Sequence, residues 1–278
     1  MTLLQFSALV FTGSLSAGLL GALTGLGGGV VIVPMLTLLF HVDIRYAIGA
    51  SLVSVIATSS GAAASYVKEG FTNMRIGMFL ELATTTGALC GAWLAAQVST
   101  SVIGIIFGFV LLYSALQTAA GRHVPKTPPA PDPLAAKLKL NGSYPSQEGI
   151  KKYEVYRVRA GFFLTWVAGI LSGLLGIGSG AVKVLAMDRM MRLPFKVSTT
   201  TSNFMIGVTA AASAGIYLNR GYIDPGLCMP VMLGVLTGAF WGSRILIKAK
   251  ARNLRLLFGA VIFFLSIEMI YGGFTGRF

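Results

Sequence analysis

Charged side chains are scarce in this sequence, and their scarcity decides its class. Only 11% of the 278 residues are charged, whereas 55% are hydrophobic and the mean hydropathy is +0.77. A soluble domain carries about 25% charged residues. Residues 1–44 contain no lysine or arginine at all. Such stretches are typical of helices that have lipid as their solvent. The composition therefore predicts an all-α, polytopic membrane protein whose first partner is the lipid bilayer.

Acidic residues are the rarer charge, nine against 22 lysines and arginines, which leaves a formal net charge of +13. An excess of this size can indicate nucleic-acid binding. Here, however, nine Lys, Arg and His residues lie in 122–159, and five Lys and Arg lie in 244–255. Cations confined to short loops mark the cytoplasmic side of a membrane protein. We therefore expect no nucleic acid as a partner, a location in the cell inner membrane, and a cytoplasmic 119–158 linker.

Cysteine and histidine are too few and too dispersed for the usual metal centres. Cys90 and Cys228 lie in separate apolar segments without Cys-x-x-Cys spacing, and both histidines, His41 and His123, lie in loops. The sequence also lacks a His-Glu-x-x-His motif and paired intramembrane aspartates. These motifs would bring the residue types that hold zinc or perform acid–base chemistry. The sequence predicts no metal site, no cofactor and no enzymatic activity.

A glycine-rich segment occurs twice and reveals an internal repeat. Ala17–Val30 recurs as Ala168–Ala181, and the same offset of 151 residues matches Thr58 with Thr209. Transporters are often built from duplicated halves. The predicted parts are a first membrane repeat (1–118), a basic Pro-rich linker (119–158) and a second membrane repeat (159–278).

Each half contains five apolar segments, and the second of each is short. The predicted segments are 3–24, 29–40, 47–67, 76–97 and 100–118, then 160–175, 180–188, 198–218, 226–247 and 254–272. A bilayer crossing needs about 20 helical residues, so we expect about 8–10 transmembrane helices, some short or re-entrant. The two cationic regions share one side of the membrane only if each half crosses it an odd number of times. The halves are then inverted repeats, with both termini outside.

Each half also carries a glycine cluster inside an apolar run. Because glycine disfavours helix by about 1 kcal/mol per residue, the clusters predict helix breaks. Lipid excludes irregular backbone, so each break must face protein or a water-filled cavity. Free backbone N–H groups and the positive end of the next half-helix favour an anion there. The alternative is that the glycines only permit close helix packing. The candidate substrate-binding residues of the clusters are Gly25, Gly27, Gly28, Gly29, Gly176, Gly178, Ser179 and Gly180.

Polar side chains inside apolar segments extend this candidate site. Ser51, Ser202 and Asn203 could hydrogen-bond an oxyanion, although helix capping and interhelix hydrogen bonds would use the same groups. Ionisable residues within a membrane are functional hypotheses by default. Lys183, just after the second glycine cluster, is a candidate anion ligand, and Glu81 is a candidate for coupling to H⁺ or Na⁺. The alternative for both is snorkelling to the membrane interface.

Three segments resemble the TauE/SafE family, also described as sulfite exporters or toluenesulfonate-uptake permeases (TSUP). They are the glycine-rich Gly25–Pro34, then Gly49–Leu52, and Ser198–Gly207 in the second half. The resemblance implies transport of sulfur-containing anions such as sulfite or organosulfonates, in either direction, across the inner membrane. The second half departs from the family pattern, because Ser179 replaces a glycine and Leu185 stands at the equivalent of Pro34.

The residues and the resemblance together predict a secondary transporter for a small sulfur-containing anion, working by alternating access of two inverted repeats. An anion channel for a small oxyanion is the alternative, because a channel would share the glycine breaks and the polar lining. The sequence favours neither import nor export and carries no signature of oligomer formation.

Overall fold

The chain is largely helical in the computed structural model. The structure describes residues 2–24, 28–68, 70–119, 132–146, 149–178, 180–246 and 251–278. The first half forms α1 (Leu3–Thr24), α2 (Gly29–Pro34), α3 (Ile44–Lys68), α4 (Met74–Leu94) and α5 (Thr100–Ala119). The region between the halves forms α6 (Pro133–Lys137) and an antiparallel hairpin of β1 (Gly142–Ser146) and β2 (Gly149–Tyr153). The second half forms α7 (Val158–Leu175), α8 (Gly180–Leu185), α9 (Phe195–Asn219), α10 (Pro225–Leu246) and α11 (Ala251–Phe274).

The helix boundaries repeat at the same offset as the sequence. Helices α2 and α8 correspond residue for residue, as do α3 and α9. Both short helices continue into a single π-helical turn, 35–39 and 186–190. Proline does not dictate this turn, because Leu185 replaces Pro34 in the second half and the same turn follows. Each of the ten apolar segments contains helix in the described residues, which agrees with the predicted all-α class.

The two halves interlock through four pairs of helices. Helix α1 packs against α10, and α4 packs against α7, so the first helix of each half lies on the fourth helix of the other. The third helices α3 and α9 pack together, as do the last helices α5 and α11. Every one of these pairs joins one half to the other. The core therefore lies between the repeats rather than within each of them.

Glycine sets the distance at the α4–α7 crossing. A Cβ on Gly87 would collide with the carbonyl oxygen of Trp166, and a Cβ on Gly169 would collide with that of Thr84. Each helix backbone thus rests directly on the other. Such close approach through small residues is a common means of helix association in membranes, where apolar side chains gain nothing by leaving lipid.

The α1–α10 crossing repeats this arrangement. A Cβ on Gly18 would collide with the carbonyl oxygen of Val235, and a Cβ on Gly238 would collide with that of Leu15. All four residues are the equivalents of the α4–α7 set at the offset of 151. The same local packing therefore holds both interfaces between the halves.

Gly169→Leu and Gly18→Leu are each expected to lower the melting temperature of the purified protein, because leucine must separate two touching backbones. Overpacking of this kind costs about 1–3 kcal/mol or more. Gly215→Leu is the matched control, since a Cβ at this position in α9 meets nothing within 4 Å. Equal melting temperatures for the three variants in detergent would contradict the packing described for the two crossings.

The outer surface is unusually apolar. On length and apolar composition alone, one helix of the described residues, Val158–Leu175, is able to cross a membrane, and its mean hydropathy is 1.6. Shorter apolar stretches of 10–17 residues occur in six other helical regions. Large apolar side chains also point outward from both halves. Those more than half exposed include Met78, Leu82, Trp93, Phe163, Phe240, Trp241 and Phe264. A surface of this kind suits a lipid environment.

The described part of the linker packs on the loop before α4. The side-chain amide of Asn73 donates to the carbonyl oxygen of Leu140 at 3.1 Å and to the hydroxyl of Tyr153 at 2.7 Å. Burial there raises the pKa of Tyr153. Asp132 accepts from the backbone N–H of Val158 at 2.7 Å and so ties the linker to the start of α7. The sequence analysis predicted no secondary structure here, because these contacts join residues far apart in the chain.

A cavity of about 230 Å³ lies between this hairpin and the loop. Its lining comprises Phe71, Thr72, Asn73, Met74, Arg75, Asn141, Gly142, Ser143 and Tyr153. The candidate residues from the sequence are absent from this lining. Of the candidates that the structure describes, Gly29, Ser51 and Gly176 meet at the interface of the two halves.

Candidate functional site

The second glycine cluster breaks the helix as predicted. Gly176 and Gly178 have φ angles of +67° and +69°, a left-handed conformation that favours glycine. Helix α7 ends at Leu175, and α8 begins at Gly180. In the first half, Gly29 begins α2. Gly25, Gly27 and Ser179 lie outside the described residues.

The two glycine clusters meet across the interface of the halves. The hydroxyl of Ser51 in α3 donates to the carbonyl oxygen of Gly176 at 2.7 Å. A Cβ on Gly29 would lie 2.6 Å from the Ser51 oxygen and 3.1 Å from the same carbonyl oxygen. Glycine at position 29 is therefore required for this contact. One buried hydroxyl joins the start of α2 to the break between α7 and α8.

The second-half serine makes a different contact. Ser202 in α9 donates to the carbonyl oxygen of Gly180 at 3.4 Å, within its own half. Asn203 follows it and is half-buried. Ser51 and Ser202 are both buried, and each bonds to a residue of a glycine cluster. The hydroxyl of Ser51 thus bonds across the interface of the halves, whereas that of its equivalent Ser202 bonds within one half.

Lys183 is fully buried, with no side-chain area exposed. Its ammonium donates to the hydroxyl of Thr209 at 2.6 Å. The side chain therefore ends inside the protein and does not reach an exposed surface, as snorkelling would require. Helix α8 carries this lysine one turn beyond Gly180, so the cation belongs to the same element as the second glycine cluster.

Glu81 lies at the other end of the same hydrogen-bonded chain. The Thr209 hydroxyl lies 2.8 Å from Oε1 of Glu81, and the Thr85 hydroxyl donates to the same oxygen at 2.9 Å. The second oxygen, Oε2, is buried and has no hydrogen-bond partner among the described residues. Leaving a buried charged acceptor unpaired is costly. The carboxylate therefore has one bonded oxygen and one oxygen open to a proton or a ligand.

Thr209 is the functional candidate that sequence reasoning missed. It appeared in the sequence only as one of several matches in the repeat, with Thr58 as its equivalent. Thr58 bonds back to the carbonyl oxygens of its own helix at 3.0 and 3.2 Å. Thr209 also bonds back, to the carbonyl oxygen of Met205 at 2.9 Å, but it lies within hydrogen-bond distance of both Lys183 and Glu81 as well. Threonine is one of many hydroxyl residues in these helices, so the sequence gives no signal for this link. The link depends on how three helices pack.

Two cation–aromatic pairs also follow the repeat. The guanidinium of Arg45 lies 5.8 Å from the ring centre of Tyr222, and the ammonium of Lys196 lies 3.6 Å from that of Phe71. Arg45 and Lys196 are equivalent positions in the first turns of α3 and α9, and the two rings are equivalent as well. Each pair joins the third helix of one half to the loop before the fourth helix of the other.

Comparisons with known proteins agree with this architecture. The family model "Sulfite exporter TauE/SafE" matches residues 10–269. A probable membrane transporter protein of Bacillus subtilis (strain 168), YunE, is 27% identical over 280 residues, covering 97% of this chain and 99% of the relative. A second from the same organism, YdhB, is 28% identical over 228 residues, covering 82% and 85%.

Similarity extends to the archaea. The probable membrane transporter protein MJ0441 of Methanocaldococcus jannaschii is 22% identical over 284 residues, covering 96% of each chain. No solved structure matches the chain. Because the family model covers the helices of both halves, the chain belongs to the TauE/SafE family of membrane transporters.

Proposed function

We propose that this protein is a secondary transporter that carries a small sulfur-containing anion, such as sulfite or a sulfonate, across the cell inner membrane. The observation that supports this best is the meeting of the two glycine clusters at the Ser51–Gly176 contact. A site at this interface touches both halves, so a relative movement of the halves can expose it to one side at a time. That arrangement is the basis of alternating access in repeat-built transporters.

Electrostatics favour an anion at this place. Moving an anion from water into a membrane interior costs many kcal/mol unless hydrogen bonds and opposite charge replace its hydration. Ser51 and Ser202 bring hydroxyls that would have to turn from the carbonyl oxygens of Gly176 and Gly180 to donate to an anion. Lys183 brings a buried positive charge one turn after Gly180. Sulfur oxyanions are strong hydrogen-bond acceptors with compact charge. A site of small residues, hydroxyls and one cation suits their size.

The family name supports the sulfur chemistry of the substrate. The matching family model is described as a sulfite exporter, and the relatives are described as probable membrane transporters. We propose that sulfite and organosulfonates share the site because both present a pyramidal or tetrahedral group of oxygens around sulfur. Sulfonates differ in carrying an organic substituent in place of one oxygen or lone pair.

Inversion of the two halves is part of the proposal. If 1–118 and 159–278 cross the membrane in opposite senses, then the Arg45–Tyr222 and Lys196–Phe71 pairs lie at opposite mouths of the same path. Each pair joins elements from both halves. Separation of one pair while the other stays closed would open one mouth at a time, which alternating access requires.

Inversion places the linker in the cytoplasm and the loop between α4 and α5 outside, and labelling is expected to show this. Exposed Ser99 and exposed Ser143 serve as positions for single cysteines, in a background with Cys90 and Cys228 replaced by alanine. A membrane-impermeant maleimide should label Ser99→Cys in intact cells, and Ser143→Cys only after permeabilisation. Labelling of both positions from the same side would rule out this topology.

Ligand-induced stabilisation tests the substrate class. Sulfite, thiosulfate, methanesulfonate and sulfate are each added to the purified protein, with sodium chloride at matched ionic strength as the control. A bound substrate raises the melting temperature in proportion to the logarithm of its concentration above Kd. Stabilisation by at least one of the sulfur anions over chloride supports the proposal, and no stabilisation by any of them contradicts it.

A further inference from the structure

A buried polar chain crosses from one half of the molecule to the other. Lys183 and Thr209 come from α8 and α9 of the second half, and Glu81 and Thr85 come from α4 of the first. The distances along it are 2.6, 2.8 and 2.9 Å. Thr209 accepts from the ammonium, and its single hydroxyl hydrogen faces two acceptors, Oε1 of Glu81 at 2.8 Å and the carbonyl oxygen of Met205 at 2.9 Å. The chain thereby joins a buried cation to a partly buried acid without direct contact.

The repeat itself shows that the fold does not need these charges. At the equivalent positions of the repeat, Ile32 corresponds to Lys183 and Met232 corresponds to Glu81, while the threonine is kept as Thr58. The helices that carry these positions nevertheless begin at equivalent residues in both halves. The two charges, one from each half, are therefore present together at one of the two repeat-related places and absent together from the other. This pattern is expected of two residues that act as a unit.

Other charged groups lie at the ends of the elements around Glu81. Helix α7 begins beside Arg157 and Arg159, α9 carries Lys196 in its first turn, and the π-helical turn after α8 carries Asp188 and Arg189. Arg159, Lys196 and Arg189 are exposed. Among the described residues, Lys183 is the cation that the hydrogen-bonded chain links to Glu81.

We propose that Glu81 is a proton-binding site coupled to the anion through Thr209 and Lys183, so that each anion is carried together with one proton. This inference rests on the proposed function. Without anion, the Glu81 carboxylate balances the charge of Lys183. When an anion takes the place beside Lys183, a second negative charge enters the same buried region.

Protonation of Glu81 removes that excess charge. A proton from water forms an O–H bond at one carboxyl oxygen, with Oε2 as the oxygen that has no described partner. The anion then replaces the carboxylate as the counter-ion of Lys183. Buried unpaired charge is expensive, so the region stays neutral both before and after binding. Electroneutral binding of one proton and one monovalent anion is the consequence.

The proposed proton uptake fixes how the affinity for the anion depends on pH. Because the anion-bound state holds one more proton than the free state, binding tightens as pH falls, by about tenfold per pH unit while Glu81 is ionised in the free protein. Methanesulfonate is a suitable probe because it remains a monoanion throughout. Titration calorimetry in two buffers with different protonation enthalpies then measures the proton uptake directly, and we expect about one proton per methanesulfonate bound.

Glu81→Gln separates the proton site from the anion site. Glutamine mimics the protonated acid, so this variant is expected to bind methanesulfonate with no pH dependence and without proton uptake, and more tightly than the parent at high pH. Glu268→Gln in α11 is the matched control, because it removes an acid from a different helix. It should keep the slope and the proton uptake of the parent.

Several outcomes would overturn the inference while leaving the proposed function intact. They are pH-independent binding by the parent, zero proton uptake by the parent, or a parent-like slope in Glu81→Gln. If Glu81→Gln does not fold, the proton uptake of the parent and of Glu268→Gln decides alone. If methanesulfonate does not bind, thiosulfate, which stays a dianion over this range, replaces it. Binding of neither anion contradicts the proposed function and the inference with it.

Discussion

Gly29→Val is expected to abolish anion transport while the protein still folds and reaches the membrane. Gly29 lies in a helical conformation that valine can adopt, so the effect is steric rather than conformational. A Cβ here would lie 2.6 Å from the Ser51 oxygen and 3.1 Å from the carbonyl oxygen of Gly176. The larger side chain must therefore push the two glycine clusters apart. Uptake of labelled sulfite into proteoliposomes measures the loss.

Two further variants isolate the cause. Gly215→Val adds the same side chain where there is open space, and it should transport like the parent. Ser51→Ala removes only the hydroxyl that reaches Gly176, and a partial loss of about five- to 150-fold corresponds to the 1–3 kcal/mol of such a contact. Normal transport by Gly29→Val would show that the glycines serve packing alone and that the anion binds elsewhere.

Lys183→Ile is expected to destabilise the protein, by at most about 3–5 kcal/mol, because it leaves the partly buried Glu81 carboxylate without its cation. The repeat indicates a second substitution that would compensate for this loss of stability. At the equivalent positions of the repeat, Ile32 lies in the first half and Met232 in the second. The double variant Lys183→Ile with Glu81→Met copies that pair, and it should recover most of the lost stability because both charges are gone.

A double-mutant cycle makes this quantitative. Unfolding of the parent, both single variants and the double variant is followed in detergent by denaturant titration. A coupling energy of several kcal/mol is expected, since each single change leaves one charge unbalanced. Losses that simply add would mean that Lys183 and Glu81 do not interact, although Thr209 lies between them. The double variant should also have lost any pH dependence of anion binding.

The helical framework could be predicted because its signals are local. Apolar runs mark each helix, and glycine marks the break at Gly176 and Gly178, where the backbone is left-handed. Because the two halves match at an offset of 151 residues, a helix predicted in one half also predicted its equivalent in the other. Even the short second segment of each half was visible as an apolar run too short to cross a bilayer.

The contacts of the candidate site could not be predicted, because they depend on helix rotation and on packing between the halves. In the sequence, Lys183 lies near the end of an apolar segment. From there a long side chain can reach either a cavity or the membrane interface. Its full burial depends on how α8 lies against α9. The link through Thr209 to Glu81 joins residues 128 positions apart, and no periodicity encodes it.

The linker shows the same limit. Its proline and basic residues predicted a polar connection, which gave no reason to expect a hairpin. The hairpin is held by Asn73, which also caps α4 by accepting from the backbone N–H of Ile76 at 3.1 Å. Asn73 bonds to residues 67 and 80 positions away. Such long-range partners become visible only once the chain is folded.

Flux through the purified protein tests the central claim most directly. In proteoliposomes with an imposed sulfite gradient, labelled sulfite uptake should saturate with concentration, compete with methanesulfonate, and vanish in Gly29→Val but not in Gly215→Val. Uptake should also accelerate when the inside is more alkaline than the outside. Non-saturating flux with discrete single-channel currents would identify a channel, and the absence of any sulfur-anion flux from folded, reconstituted protein would contradict the proposed function.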